Sequence, residues 1–204
     1  MVIHTERSAE EEQLVAALRA AFDASVMNFG SYNLLYARNL LGDRDEPAGV
    51  VRPEAGESVQ ENMVRSRNLL VGYRREPVEM VLCPINLADA VHRVHALNQD
   101  RESADDRAED YDGAGSGGAF PAEPTIPSTA PVLVNLTNLA GMATEGSTVE
   151  VALSTGRRLI LDVQETVSLP QLHEVPLHQE LDVEDFYSFL DHFMDAVERT
   201  HSAA

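Results

Sequence analysis

The sequence predicts an α+β fold in which antiparallel strands pack against flanking amphipathic helices, in the order helix, strands, helix, linker, strands, helix. Three observations carry that expectation. Apolar residues recur at helical spacing near both ends of the sequence. Apolar stretches broken by turn residues lie between them. An acidic stretch rich in Gly and Pro interrupts the pattern once.

The first helix opens at Ser8, which with Glu11 has the spacing of a capping box, and Leu14, Leu18 and Phe22 then recur every fourth residue. From Met27 to Leu41 the pattern is ambiguous. Tyr32, Leu34 and Tyr36 alternate like a strand, whereas Gly42 would suit a helix C-cap. An internal echo favours strands: Arg38-Asn39-Leu40-Leu41 leads to Glu46-Pro47 and Val50-Val51, and Arg67-Asn68-Leu69-Leu70 leads to Glu76-Pro77 and Met80-Val81-Leu82. Each copy reads as strand, Glu-Pro turn and returning strand, because Pro fits a turn and cannot join a ladder. Duplication and chance both account for so short an echo. Asn86 can cap a helix whose apolar face is Leu87, Ala90, Val91, Val94 and Leu97.

The stretch from 99 to 130, with Asp105, Asp106, Glu109, Asp110 and Asp112, the run Gly113 to Gly118 and three prolines, reads as a flexible linker because it offers little apolar surface to offset ordering. It separates an N-terminal half, 1–98, from a C-terminal half, 131–204, and the halves are expected to pack as one domain. Pro131 to Leu136 reads as a strand. Val149 to Leu153 alternates as a half-buried strand, Ser154-Thr155-Gly156 turns the chain, and Leu159 to Val163 returns. Asp182 is expected to cap a final helix with Phe186, Phe189, Leu190, Phe193 and Val197 on one face.

The charge balance narrows the function. With 34 Asp and Glu against 15 basic residues, the net charge is −19 and the pI about 4.6. That sign opposes phosphate neutralisation, so neither nucleic acid nor an anionic membrane is an expected partner. All the basic residues are Arg, for which a GC-rich genome or a salt-adapted proteome suffices. A single cysteine, Cys83, and the lack of a leader-like or spanning segment lead to a cytoplasmic expectation.

Motifs that suggest chemistry fail on inspection. A phosphate loop needs lysine, which is absent, and Gly113 to Gly118 lacks the preceding strand of a dinucleotide fingerprint. His173-Glu174 and His178 are spaced one residue too far for a zinc-protease helix, and Pro176 intervenes. His92 and His95 read as solvated. An EF-hand register over Asp110-Tyr111-Asp112 would start at Ala108 and end at Ala119, without its essential carboxylates. Asp191, His192 and Asp195 crowd the last helix as if for acid-base work, but Asp185, Ser188, His192 and Asp195 form the polar stripe of an amphipathic surface helix. Cys83 reads as a buried, inert thiol. The expectation is therefore a chain that is not an enzyme and has no catalytic, cofactor or metal residue.

The element order, Ala90 to Asn98 and the stretch Asp182-Val183-Glu184-Asp185-Phe186 to Glu198 resemble the fold of type III secretion chaperones and the related YbjN family. The resemblance implies a homodimer that binds an extended partner along its sheet, with no chemistry. Two small βββα halves, or a PH-like barrel, would use the same elements. The function expected is a chaperone-like or adaptor module that holds another, basic protein, with Phe186, Tyr187, Phe189, Phe193 and Met194 as partner-binding residues, because so wide a stripe can exceed what one small sheet covers. The alternative is an acidic immunity-type inhibitor of a basic nuclease or nucleic-acid-binding protein.

Overall fold

The computed structural model describes residues 7–26, 32–43, 45, 63–87, 131–169 and 175–202. The Glu46-Pro47 turn and Val50-Val51, His92 and His95, the 99–130 linker, His173-Glu174 and most of the helix expected after Asn86 lie outside them. Helix α1 spans Ala9–Ser25. Strands β1 (Asn33–Asn39), β2 (Asn68–Arg75) and β3 (Val78–Pro84) follow. Beyond the linker come β4 (Val132–Asn135), β5 (Leu139–Glu145), β6 (Thr148–Leu153), β7 (Arg158–Asp162), β8 (Thr166–Ser168), β9 (Pro176–His178) and helix α2 (Glu180–Ser202).

Seven strands from both halves of the sequence form one antiparallel sheet in the order β4-β3-β2-β1-β7-β6-β5, and β8 and β9 form a separate ribbon. The order forces curvature. Laid flat, edges six strand spacings apart would be separated by about 29 Å. Yet β4 and β5 are joined through residues 136–138 alone, and the four steps from Asn135 to Leu139 can reach at most about 15 Å. The sheet therefore curls until its two edges approach at one end, without the β4–β5 hydrogen bonds that would close a barrel. Asn138 holds that corner: its Oδ1 accepts from the Asn135 N–H at 2.8 Å, and its carbonyl accepts from the Ser154 N–H at 2.8 Å.

Helix α2 fills the concave side. Val183, Phe186, Phe189, Leu190 and Phe193 join one apolar cluster with residues from every strand of the sheet, among them Leu35, Tyr73, Met80, Val134, Leu139, Val151 and Leu161. Aromatic rings pack along it, Tyr73 tilted against Phe186 at 5.2 Å and Phe189 at 5.1 Å, and Phe189 stacked on Phe193 at 5.5 Å. On the convex side, Leu14, Leu18 and Phe22 of α1 cover β1 to β3 through Tyr36, Leu70, Val81 and Cys83, and Leu169 and Leu177 of the ribbon region complete that cluster. Sandwiching by two helices explains why β2 and β3 are buried along most of their length, whereas β6 alternates as its sequence predicts.

Several local expectations change. Ser8 does cap α1, accepting from the Glu11 N–H at 3.2 Å, but the Glu11 carboxylate turns inward to His178. The second copy of the echo is the β2–β3 hairpin, with a cis Glu76–Pro77 bond. The first is not its structural equivalent: β1 ends at Asn39, before Leu40, whereas β2 begins at Asn68, and Arg38 is paired with Asn68 across the two strands. Asp182 does not cap α2, which starts two residues earlier. Gln179 precedes that helix, and its carbonyl accepts the first helical bond from the Val183 N–H at 2.9 Å.

Gln179 has a second task. The β1–β7 ladder covers only Arg38↔Asp162 and Asn39↔Leu161, because the chain leaves the sheet after Asp162. The buried Gln179 amide substitutes for the missing strand: its Oε1 accepts from the Tyr36 N–H at 3.0 Å, and its Nε2 donates to the Tyr36 carbonyl at 2.9 Å and the Gln164 carbonyl at 2.8 Å. Buried backbone groups left unpaired would each cost about 1–3 kcal/mol.

Candidate functional site

The residues expected to meet a partner divide into two sets. Phe186, Phe189 and Phe193 are fully buried against the protein's own sheet. The stripe looked too wide for a small sheet, but the sheet has seven strands and curls around the helix, so those rings have no free surface to offer. Tyr187 and Met194 lie at the margin, partly buried. The Tyr187 hydroxyl donates to the Gly146 carbonyl at 2.9 Å, which fixes this flank of α2 beside the β5–β6 turn.

The adjoining sheet edge is β5. Its two-residue turn, Gly146-Ser147, has a positive φ of 58° at Gly146, as suits a tight hairpin. Glu145↔Thr148 is then a hydrogen-bonded pair, as are Ala143↔Glu150 and Gly141↔Ala152, so the N–H and C=O groups of Met142 and Thr144 point away from β6. From Leu139 to Thr144 this edge carries no charge and no proline, although the chain as a whole carries −19. Natural edges are usually blunted by such residues. Here the one irregularity is a register shift between Leu139 and Gly141.

A second feature is a cleft of about 430 Å³ on the convex side, between β1 and the β8–β9 ribbon. Its floor carries Tyr36, Arg38, Asn68 and Asp162, and its apolar wall is Leu87, Val167 and Leu169. The Tyr36 hydroxyl donates to Asn68 Oδ1 at 2.7 Å, and burial pushes its pKa up to about 12, so the phenol stays neutral. Arg67 reaches Asp45 at 2.8 Å. Arg38 and Asp162 face each other across the β1–β7 pair. Asp162 nevertheless accepts from Ser147 Oγ at 3.0 Å and from Gln164 Nε2 at 2.9 Å rather than from Arg38. Tyr36, Arg38, Arg67, Asn68 and Leu87 were read from the sequence only as strand and helix residues, and nothing there marked them as one site, because cross-strand register has no signature in one chain.

Of the remaining candidates, Cys83, His178 and Asp185 are engaged within the fold. Cys83 is buried, and desolvation raises its thiol pKa to about 11. His178 Nδ1 lies 3.0 Å from Glu11 Oε2, and the His178 backbone N–H donates to Glu11 Oε1 at 2.6 Å, which ties α1 to β9. Asp191 and Asp195 are exposed, but Asp185 is held: it accepts from Asn33 Nδ2 at 2.8 Å, the Tyr73 hydroxyl at 3.1 Å and Arg75 Nη2 at 2.8 Å. The Arg75 hydrogen bond lowers the Asp185 pKa below the ordinary carboxylate value. Among the described residues, no helix is long and apolar enough to cross a membrane, and no group of three or more His, Cys, Asp or Glu is arranged to hold a metal ion.

No family model, curated protein or solved structure matches this chain.

Proposed function

We propose that the protein is a non-catalytic binding module, chaperone-like or adaptor in kind, that holds an extended, basic segment of a partner polypeptide as an added strand along β5. The observation that carries this reading is the uncharged edge from Leu139 to Thr144 on a chain of net charge −19. Strand addition takes affinity from main-chain hydrogen bonds and specificity from pockets for alternate side chains. The outward backbone groups of Met142 and Thr144 offer the first. The flank of α2 that carries Tyr187 and Met194, with exposed Asp191 close by, offers the second and favours basic side chains. This reading agrees with what the resemblance to secretion chaperones and the YbjN family implies.

The test is Thr144→Pro. Proline at that position removes an outward N–H and leaves the β5–β6 bonds in place. Immobilised protein is incubated with extract of its own cells, and the partner is identified by mass spectrometry. Retention by the native chain and loss by Thr144→Pro, at unchanged melting temperature, supports strand addition, and equal retention by both sinks it. Salt separates the second reading, which the charge itself favours: an acidic inhibitor of a basic nuclease should release its target steeply as ionic strength rises. A Thr144→Pro-sensitive dimer in sedimentation, with no other protein retained, would give the edge to a second copy of this chain.

A further inference from the structure

We infer that the cleft between β1 and the β8–β9 ribbon is a binding site for a free α-amino acid with an apolar side chain. The inference rests on the charges there. Arg67 and Asp45 are paired at 2.8 Å, which leaves Arg38 and Asp162 as the opposite charges of the cleft that have no ion-pair partner among the described residues. The two are nevertheless register partners on the same face of the sheet, where Cβ atoms lie about 5 Å apart.

Asp162 is oriented by neutral donors, Ser147 and Gln164, one on each oxygen. Its negative charge is therefore aimed but not neutralised, and each oxygen keeps a further lone pair for a donor. Arg38 is exposed and keeps its fork of donors for a carboxylate. A simple anion would find Asp162 repulsive, and a simple cation would be opposed by Arg38. A molecule with carboxylate and ammonium on one carbon satisfies both. Its side chain would then lie against Val167, the partly exposed part of the apolar wall behind which Leu87 and Leu169 are buried, and the cleft, at about 430 Å³, is of the size that small-ligand sites have.

Isothermal titration of the full chain with leucine, methionine and phenylalanine tests the inference, with isocaproate and isoamylamine as leucine analogues lacking the amine or the carboxylate. Saturable binding of at least one amino acid is expected. Binding of either analogue should be weaker by about tenfold or more, the loss of one charge-assisted interaction. Arg38→Gln should weaken amino-acid binding similarly without lowering the melting temperature of the free protein, because Arg38 is exposed and makes no ion pair among the described residues. Asp162→Asn keeps an acceptor for Ser147 and should weaken it too. Absence of saturable heat with all three amino acids up to about 10 mM would overturn the site. So would equal binding of isocaproate, or binding by Arg38→Gln as tight as by the native chain. Because β5 is not involved, Thr144→Pro should bind the amino acid normally.

Discussion

Asp185 sits where α2 meets the ends of β1 and β2, and the donors around it make one carboxylate a joint between three elements. With its pKa below the ordinary value in the folded state, it binds fewer protons there than in the unfolded chain at acidic pH. The stabilisation is thus complete above the unfolded value of about 4 and is lost as pH falls through the depressed folded one. Asp185→Asn should lower stability at pH 7, and the gap between variant and native chain should close in acid. Because the side chain is 40% exposed, the neutral-pH loss should be on the order of 1 kcal/mol. Urea unfolding from about pH 7 to about pH 3 reads this directly, and a gap that does not change with pH contradicts it. In the sequence Asp185 was one member of a polar stripe, and nothing marked it off from Asp191 or Asp195. Its role depends on Tyr73 and Arg75, residues far away along the chain. Cys83 was legible because its burial follows from the local apolar run.

Packing of α1 on the sheet turns on one missing side chain. A Cβ at Gly72 would lie 2.2 Å from a ring carbon of Phe22, so the ring occupies the space the glycine leaves. Gly72→Ala should cost about 1–3 kcal/mol through overpacking. Phe22→Leu on its own should cost a similar amount, and the double variant should lose less than the sum, because the smaller side chain makes room. Additive losses in a denaturant double-mutant cycle would show that the contact does not constrain the interface. Elements with strong periodicity were readable: both helices, the β2–β3 hairpin and the β6–β7 pair. β5 was not, because Leu139-Ala140-Gly141-Met142-Ala143-Thr144 is poor in β-branched and aromatic residues and is a strand through its pairing with β6. β8 and β9, at three residues each, are too short for alternation to register. The start of α2 was misplaced because Asp182 looks like a cap, whereas Gln179, a weak capping type, is fixed there by its bonds to Tyr36 and Gln164.

For the whole molecule, a net charge of −19 on 204 residues means that folding gathers like charges. Self-repulsion opposes the compact state and is screened as the Debye length shortens. The melting temperature should therefore rise when salt is raised from about 0.05 to about 0.5 M. A fall would mean that surface ion pairs such as Arg65–Asp43 and Arg158–Glu150 outweigh the net repulsion. The fold class, α+β with an antiparallel sheet, was legible, but whether strands of both halves share one sheet was open from the sequence, and the order and curl of that sheet were hidden because they depend on which distant strands pair. The concave filling by α2 also bears on biosynthesis. All seven strands leave the ribosome before that helix does, so a nascent chain that has paired them still shows a trough lined by Leu35, Val71, Met80, Val134 and Val151. Until Phe186, Phe189 and Phe193 arrive, the newborn protein has its greasiest surface open to every other chain being made around it.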